Sequence, residues 1–298
     1  MKNGLNKMSK IALGTVQFGV DYGVNAATGK VPYNEVIKIL NIARSNNIKL
    51  LDTAPSYGFS EEVLGKVGIQ DFEVVTKTRS FNKNIISSEE IQFLNNDFNQ
   101  SLKLLSKKSI YGILIHNPSD LLKPGSEKIF EYLQELKKQG LISKIGVSVY
   151  TYEQFQKVNE YFDVDLIQLP LSILDRRLVH SGVLNKIYKK GIEIHARSIF
   201  LQGLLLMSQK TRPKKFDQWR VLWSIWDEWL NDNHLSPLEA SIRYAISLPQ
   251  ISKVLVGVDS SEQLRNIISV SDGVLPEIPH DFFTDDINLL NPSNWNNL

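Results

Sequence analysis

The sequence predicts an α/β protein, a (β/α)8 TIM barrel, on three observations. Short apolar runs rich in β-branched residues recur eight times, and a segment with helical periodicity lies between each run and the next. The runs are almost continuously apolar, which is typical of a parallel sheet covered on both faces. Alternation of this kind over roughly 250 residues is typical of the barrel. An open doubly wound sheet is the alternative, but no G-x-G-x-x-G motif follows the first run.

The predicted strands follow one another along most of the chain. Val, Ile and Leu dominate each run, which favours extended structure. Because parallel strands of a barrel end on the same rim, the residue that ends each run is expected to face a common site. The eight predicted strands are Lys10–Leu13, Lys49–Asp52, Glu73–Thr78, Tyr111–His116, Ser143–Ser148, Asp165–Gln168, Ile192–Ala196 and Lys253–Gly257.

The segments between the strands carry helix signals. The helix before the fourth strand opens with the capping-box pattern Ser87–Glu90. The helix before the fifth strand ends at Gly140, a residue favoured at helix C-termini. The first helix, over residues 33–47, has an apolar face formed by Val36, Ile37, Leu40 and Ala43.

Two segments exceed the minimal repeat. Phe200–Leu235 is a long insertion between strand seven and its helix, and Ser271–Leu298 is a polar tail rich in Asn, Asp and Pro. Long loops of this kind are often functional, and both are expected to extend over the catalytic rim. No linker or low-complexity run divides the chain, so residues 1–298 are interpreted as a single barrel domain.

The composition excludes several classes of function. The 34 basic and 32 acidic residues give a net charge of only +2, so electrostatics favours neither nucleic acid nor an anionic membrane as a partner. The absence of cysteine excludes disulfides and thiol chemistry, and no metal site is predicted. No apolar run approaches the ~20 residues of a membrane helix, and the first residues lack a signal-peptide pattern. We expect a soluble, cytoplasmic protein; its oligomeric state is not readable.

Polar residues end nearly every strand. In a barrel, catalytic groups lie at these carboxyl ends. Taken singly, each of them also suits a turn cap or a packing role. Taken together, they bring several ionisable groups to one mouth, which a catalytic site requires. The residues are Asp52 with Tyr57 just beyond, Lys77, His116, Ser148, Gln168, Arg197 and Gly257.

Four of these groups form a combination that suits acid catalysis. A free tyrosine titrates near ~10 and is a poor acid at neutral pH. An ammonium close to a phenol favours the phenolate, and a carboxylate beside the ammonium keeps it charged. A Tyr57–Lys77–Asp52–His116 group is therefore a general acid directed at an oxygen that gains charge. A carbonyl that receives a hydride gains such charge, and only a nicotinamide could supply the hydride.

With these residues in this order, the sequence resembles the aldo-keto reductase family. The resemblance runs from "IALGTVQFG" to "SSEQLRNII" and covers nearly the whole chain. The motifs that carry it are "LDTAPSYG", "VVTKT", "ILIHNP", "KIGVSVY", "DLIQLPLSILDRR" and "LVGVDSSEQL". Each is weak alone, but their order, with each at a strand end, is specific.

The resemblance implies roles for individual residues. Tyr57 is the expected proton donor, Lys77 and Asp52 tune it, and His116 orients the substrate carbonyl. Ser148 and Gln168 are expected to hold the nicotinamide carboxamide. The cofactor-binding set implied is Gly14, Thr15, Asp52, Ser148, Gln168, Arg197, Gly257, Asp259, Ser260 and Gln263.

The chain departs from the family pattern in places that concern the cofactor. Val149 stands where an Asn contact to the carboxamide is usual, and Arg197 replaces the aromatic residue that often stacks on the nicotinamide. A guanidinium can stack on a ring or pair with an anionic substrate group. The loop Gly257–Gln263, expected to carry the adenosine end, offers Asp259 and Ser260 where many members have a cation. The family favours NADPH, with NADH as the alternative.

Other readings stay open. Trp219, Trp223, Trp226 and Trp229 lie three or four residues apart, which suits packing against the barrel wall or a lid over a sugar-like substrate. Arg176 and Arg177 suit an acidic substrate or a salt-bridged loop. The leading function is NAD(P)H-dependent reduction of an aldehyde or ketone, with a sugar-derived carbonyl as a candidate substrate. The alternatives are a Schiff-base lyase or aldolase that uses Lys77, and a non-catalytic cofactor-binding regulatory subunit.

Overall fold

The computed structural model describes residues 10–22 and 29–297. In this part of the chain, eight parallel strands pair in sequence order, and the last pairs with the first to close a barrel. The predicted (β/α)8 architecture is therefore confirmed, and an open sheet is excluded. The strands are β1 (Ile11–Gly14), β2 (Leu50–Asp52), β3 (Glu73–Lys77), β4 (Ile110–Ile115), β5 (Ile142–Ser148), β6 (Leu166–Pro170), β7 (Glu193–Arg197) and β8 (Lys253–Gly257).

Helices surround the barrel and alternate with its strands. Short 3₁₀ segments supplement them at Val16–Phe18, Pro118–Leu122, Leu201–Leu206, Lys214–Trp219 and Pro292–Asn297. The α-helices are α1 (Tyr33–Ser45), α2 (Ser60–Val67), α3 (Ser88–Leu104), α4 (Glu127–Lys138), α5 (Tyr152–Asn159), α6 (Arg177–His180), α7 (Val183–Lys189), α8 (Arg220–Asp232), α9 (Pro237–Ser247), α10 (Ser261–Val270) and α11 (Ile287–Leu290).

The predicted helices lie where the sequence placed them, but the buried face of α1 and the cap of α3 differ from the prediction. In α1, Ile39 is fully buried and Ile37 only half-buried, because Ile37 is rotated about 100° from Val36 around the helix. The Ser87 hydroxyl caps α3 by accepting from the Glu90 amide at 3.4 Å. The Glu90 carboxylate lies 3.4 Å from the Lys83 ammonium.

The core has two layers. Inside the barrel, a small cluster of apolar side chains from six strands fills the space. A much larger cluster lies between the outer face of the sheet and the helices. Burial on both faces explains the continuously apolar strands. The inner cluster consists of Ala12, Leu50, Val75, Leu114, Leu166 and Leu255.

The strand register brings the polar strand ends to one rim. Gly14 of β1 pairs with Asp52 on one side and with Gly257 on the other. Ser148 of β5 pairs with Gln168 of β6. Residues that are far apart in the sequence therefore become neighbours at the carboxyl ends of the strands.

The insertion and the tail pack against each other. The Trp226 ring stacks on Phe282 at 4.8 Å between centroids, and the Trp229 indole donates to the Glu277 carbonyl at 2.8 Å. Trp226 and Trp229 are buried. The tail contacts the segments that follow β6 and β7, since Arg176 donates to the Phe282 carbonyl. No helix among the described residues is long and apolar enough to cross a bilayer.

Candidate active site

A cavity of about 1080 Å³ opens at the carboxyl ends of the strands. Its volume is at the upper end of the range for small-molecule and cofactor sites. Of the sequence-predicted residues, Lys77 and Ser260 do not line it. Those that do are Gly14, Thr15, Asp52, Tyr57, His116, Ser148, Gln168, Arg197, Gly257, Asp259 and Gln263.

A buried ion pair forms the floor beside the cavity. The Lys77 ammonium lies 2.6 Å from Asp52 Oδ1 and also donates to the Thr53 carbonyl at 3.0 Å. Gln168 Nε2 donates to Asp52 Oδ2 at 2.8 Å, so both carboxylate oxygens are bonded. Asp52 and Lys77 are 3% and 2% exposed. Because a buried charge is costly unless it is paired and hydrogen-bonded, these contacts fix both groups.

The Lys77 charge lies next to the Tyr57 phenol. Its ammonium is 4.9 Å from the centroid of the Tyr57 ring. Burial lowers the pKa of Lys77, but the Asp52 carboxylate and the Tyr57 phenol raise it more, so this pKa lies above its ordinary value. Lys77 is therefore a cation at neutral pH, placed to stabilise negative charge on the Tyr57 oxygen.

A close backbone approach holds Tyr57 over the rim. The Tyr57 amide donates to the Ala54 carbonyl at 3.0 Å, which closes the turn after β2. A Cβ on Gly19 would lie 1.7 Å from the Tyr57 carbonyl oxygen, so the turn after β1 touches this turn directly. Only glycine at position 19 permits that contact.

A hydroxyl network ties the same two turns together. The Ser60 hydroxyl donates to the Thr15 carbonyl at 2.8 Å, and the Thr15 hydroxyl donates to the Asp52 carbonyl at 2.9 Å. Thr53 donates to the Ser60 hydroxyl at 3.2 Å. Sequence reasoning missed Ser60 and Gly19, because their effect depends on a contact between two turns about 40 residues apart.

His116 lies across the mouth from Tyr57. The two rings meet edge to face, with centroids 6.3 Å apart and an interplanar angle of 85°. Burial, assisted by the Lys77 charge, lowers the pKa of His116 to about 4. The imidazole is therefore neutral at neutral pH and can donate one N–H to a bound oxygen. Asp52, Tyr57, Lys77 and His116 thus meet at one place, as the sequence predicted.

The residues around the cavity fit a nicotinamide dinucleotide. Ser148 and Gln168 lie side by side on the wall, and the Gln168 side-chain Oε1 can accept from a carboxamide while its Nε2 donates to Asp52. Gln17 Oε1 is buried without a hydrogen-bond partner among the described residues, and Gln17 packs on Gly257, where a Cβ would meet it at 2.4 Å. An orphaned acceptor on this wall suits a hydroxyl donor such as those of ribose.

The loop after β8 opens α10 as the sequence indicated. The Ser260 hydroxyl accepts from the Gln263 amide at 3.2 Å, and the Gln263 side chain accepts from the Asp259 amide at 2.8 Å. A residue that the sequence did not single out completes this cap. Glu35 of α1 accepts from the Ser261 amide at 2.7 Å. No local pattern links Glu35 to Ser261, since they lie on different helices.

Arg197 ends β7 inside the cavity. Its guanidinium lies 4.3 Å from the centroid of the Tyr150 ring and donates to the Val149 carbonyl at 3.1 Å. Tyr150 lines the same wall. The guanidinium therefore stacks on a tyrosine of the protein, and its expected contact with the nicotinamide ring stays a prediction.

The remaining candidates lie away from the cavity. Arg177 forms an ion pair with Asp175 at 2.7 Å, and Arg176 holds the tail. Neither lines the cavity, so the acidic-substrate reading of both is wrong. The tryptophans of the insertion do not line it either, so they do not form a lid over it. The insertion does reach the cavity through an earlier part, Phe200–Thr211.

Comparisons with known proteins agree with this geometry. A family model described as the aldo/keto reductase family matches residues 10–280. The aldo-keto reductase YhdN of Bacillus subtilis is 29% identical over 183 residues, which cover 58% of this chain and 53% of that protein, so the chain matches about half the length of this relative. The NADH-specific methylglyoxal reductase of Escherichia coli is 28% identical over 218 residues, 66% of this chain and 65% of that protein.

Solved structures share the fold. The aldo-keto reductase AKR11C1 from Bacillus halodurans, in its holo form, superposes with a TM-score of 0.70 at 21% identity, over 90% of this chain and 88% of that one. The glycerol dehydrogenase AKR11B4 from Gluconobacter oxydans gives a TM-score of 0.67 at 22% identity, over 89% and 87%. A family match over most of the chain, on a closed eight-stranded barrel, shows that this protein belongs to the aldo/keto reductase family.

Proposed function

We propose that the protein reduces an aldehyde or ketone to an alcohol with a nicotinamide cofactor, and that Tyr57 donates the proton. The observation that carries this proposal is the position of the Lys77 ammonium, 2.6 Å from Asp52 and 4.9 Å from the centroid of the Tyr57 ring. A buried cation beside a phenol that faces a cavity is an arrangement suited to acid catalysis.

Each residue has a defined part in the reaction. Ser148 and Gln168 would hold the carboxamide of a reduced nicotinamide, which would supply a hydride to the carbonyl carbon. The Tyr57 hydroxyl gives its proton to the carbonyl oxygen as charge develops there, and the Lys77 ammonium stabilises the resulting phenolate. Asp52 keeps Lys77 charged and in place. Neutral His116 donates a hydrogen bond that orients the carbonyl oxygen toward Tyr57.

The Schiff-base alternative is disfavoured by the same geometry. A lysine must be deprotonated to attack a carbonyl, but the pKa of Lys77 is raised and its ammonium is bonded to Asp52. Lys77 does not line the cavity. We expect borohydride to trap no adduct between Lys77 and a carbonyl compound.

We propose further that NADH is preferred to NADPH, against the family-based expectation. If the adenosine end lies at α10, an additional phosphate meets a helix N-terminus at which two of the amides already have side-chain acceptors. The Ser261 amide donates to Glu35, and the Gln263 amide donates to Ser260. Hydrogen bonds from Ser261 and Lys38 lower the pKa of Glu35 to about 2, so it is anionic at all working pH values. Glu35 thus opposes a phosphate at the site that would otherwise attract it.

Binding measurements test both proposals without knowledge of the substrate. NADH and NADPH are titrated into the protein, and tryptophan fluorescence or heat is recorded. We expect saturable binding, tighter for NADH. We expect Glu35→Gln to lower the ratio of the Kd for NADPH to the Kd for NADH roughly tenfold, about 1.4 kcal/mol. Glu62→Gln, which removes an exposed carboxylate paired with Lys66 on α2, is the control.

The outcomes separate the proposals. Binding of neither nucleotide refutes the reductase function. Tighter binding of NADPH refutes the cofactor preference alone. Nucleotide binding without turnover of any carbonyl compound, in a protein with all four catalytic groups intact, would favour a regulatory subunit.

A further inference from the structure

Arg197 is held rigidly on the wall of the cavity. Its guanidinium stacks on Tyr150, donates from Nη2 to the Val149 carbonyl at 3.1 Å, and donates from Nη1 to the Ser198 hydroxyl at 3.2 Å. Two of its five N–H groups are used in this way, and three remain to bind a ligand. All three contacts are to neutral groups, so they fix the orientation of the charge without cancelling it.

No carboxylate among the described residues forms an ion pair with Arg197. The acidic residues that line the cavity are Asp52 and Asp259. Asp52 is neutralised by Lys77, and Asp259 lies at the α10 end, where its amide is bonded to Gln263. The part of the cavity around Tyr57 and His116 therefore carries an uncompensated positive charge. A half-buried charge in this position is stabilised by a ligand of opposite sign.

The Arg197 charge acts where the substrate carbonyl would bind. Burial and Lys77 lower the pKa of His116 most, and Arg197 lowers it further. Burial raises the pKa of Tyr22, which also lines the cavity, whereas the Arg197 charge opposes that rise. Arg197 is thus within electrostatic range of His116 and Tyr22, which both line the cavity.

The loop after Arg197 is built at a conformational cost. Ser198, Leu201 and Gln202 have φ angles of 63°, 48° and 52°, in the left-handed region that disfavours residues other than glycine. Each such residue costs on the order of 1–3 kcal/mol, and such residues cluster at ligand-binding sites. Ser198 and Gln202 line the cavity. The loop therefore directs polar groups to the same part of the wall as the Arg197 guanidinium.

We propose that the carbonyl substrate carries an anionic group, a carboxylate or a phosphate, which Arg197 binds while Tyr57 and His116 engage the carbonyl oxygen. This inference rests on the proposed reductase function and names its substrate class. The competing role for Arg197 is to stack on the nicotinamide ring, as an aromatic residue could. The two roles differ in what the loss of Arg197 impairs, namely discrimination between substrates or affinity for the cofactor.

The test compares aldehydes that differ in charge. Succinic semialdehyde is paired with butanal for the carboxylate, and glyceraldehyde 3-phosphate is paired with glyceraldehyde for the phosphate. The variants are Arg197→Gln, Arg197→Lys and the control Arg220→Gln, which removes an exposed guanidinium at the start of α8, outside the cavity. We expect the wild type to prefer at least one anionic aldehyde over its neutral partner.

The expected effect follows from the strength of a charged hydrogen bond. Arg197→Gln should lower the ratio of kcat/KM for the preferred anionic aldehyde to kcat/KM for its neutral partner by roughly 10- to 100-fold. Arg197→Lys should recover part of the loss, and Arg220→Gln should behave as the wild type. The pair that responds identifies a carboxylate or a phosphate as the anion.

Direct binding of anions tests the inference even if no aldehyde is reduced. Succinate and inorganic phosphate are titrated calorimetrically into the cofactor-saturated wild type and Arg197→Gln. Binding of either anion to the wild type, weakened at least about tenfold in the variant, supports the anion site even if the reductase function fails. Absence of binding with no preference for anionic aldehydes overturns it. The inference is also overturned if weaker cofactor binding accounts for the whole loss of activity in Arg197→Gln.

Discussion

Gly19→Ala offers a sharp test of how the fold positions Tyr57. The added Cβ would lie 1.7 Å from the Tyr57 carbonyl oxygen, 2.5 Å from the Ser60 amide and 2.9 Å from the Phe59 amide. All three are backbone atoms, so no flexible side chain can yield. The turn that carries Tyr57 must move away from the turn after β1.

The size of the displacement sets the size of the effect. Real Cβ atoms essentially never approach a heavy atom closer than 3.0 Å, so Tyr57 must shift by more than 1 Å unless Gly19 itself moves. Overpacking of this kind typically costs about 1–3 kcal/mol of stability. A misplacement of about 1 Å at a catalytic group costs on the order of 100-fold in rate. We therefore expect a moderately destabilised protein with a roughly 100-fold lower kcat.

Gly65→Ala is the matched control. Its Cβ would lie 1.8 Å from the Leu104 carbonyl oxygen, where α2 meets the end of α3. This clash is as severe as that at Gly19, but the carbonyl that it meets belongs to α3 and not to the turn that carries Tyr57. Thermal unfolding, NADH binding and carbonyl reduction are measured for both variants under conditions where both are folded. Equal loss of kcat in the two variants, or unchanged kcat in Gly19→Ala, would refute the positioning argument.

Three further outcomes are expected. Tyr57→Phe should lower kcat by roughly 100- to 10,000-fold and leave the Kd for NADH unchanged, which stopped-flow kinetics and calorimetry check. Lys77→Met leaves Asp52 as an unpaired buried carboxylate and should lower the free energy of unfolding by about 3–5 kcal/mol, as measured by urea denaturation. The pKa of His116 is about 4 when folded and about 6.5 when unfolded. The unfolded state therefore binds more protons between these values, and stability should fall as pH drops through this window, less so in His116→Gln.

The sequence was sufficient for the barrel and for the residues on its rim. Continuous apolar runs reflect burial on both faces of the sheet, and this pattern is local, so each strand was found within a few residues. The closure of the barrel then brings every strand end to one rim. For this reason Asp52, Lys77 and His116 could be expected together before their distances were known.

Contacts between separate segments were beyond the reach of the sequence. Nothing near Glu35 indicates that it caps α10, because the partner Ser261 lies on another helix. The regular spacing of the tryptophans showed that they share a face, but not what covers it. The tail supplies that cover, since Phe282 stacks on Trp226. Periodicity predicts that a face is buried, whereas the partner depends on tertiary packing.

The charges of the cavity connect its two ends. At one end, Asp52 neutralises Lys77, whose ammonium lies beside the Tyr57 ring. At the α10 end, Glu35 accepts from the Ser261 amide, and we propose that its charge opposes a further phosphate. Arg197 lies on the wall beside the catalytic end without a carboxylate partner among the described residues. An anionic group on the substrate would complete this distribution. The cofactor preference and the substrate class proposed here therefore both follow from which charges the protein neutralises itself and which it leaves for a ligand.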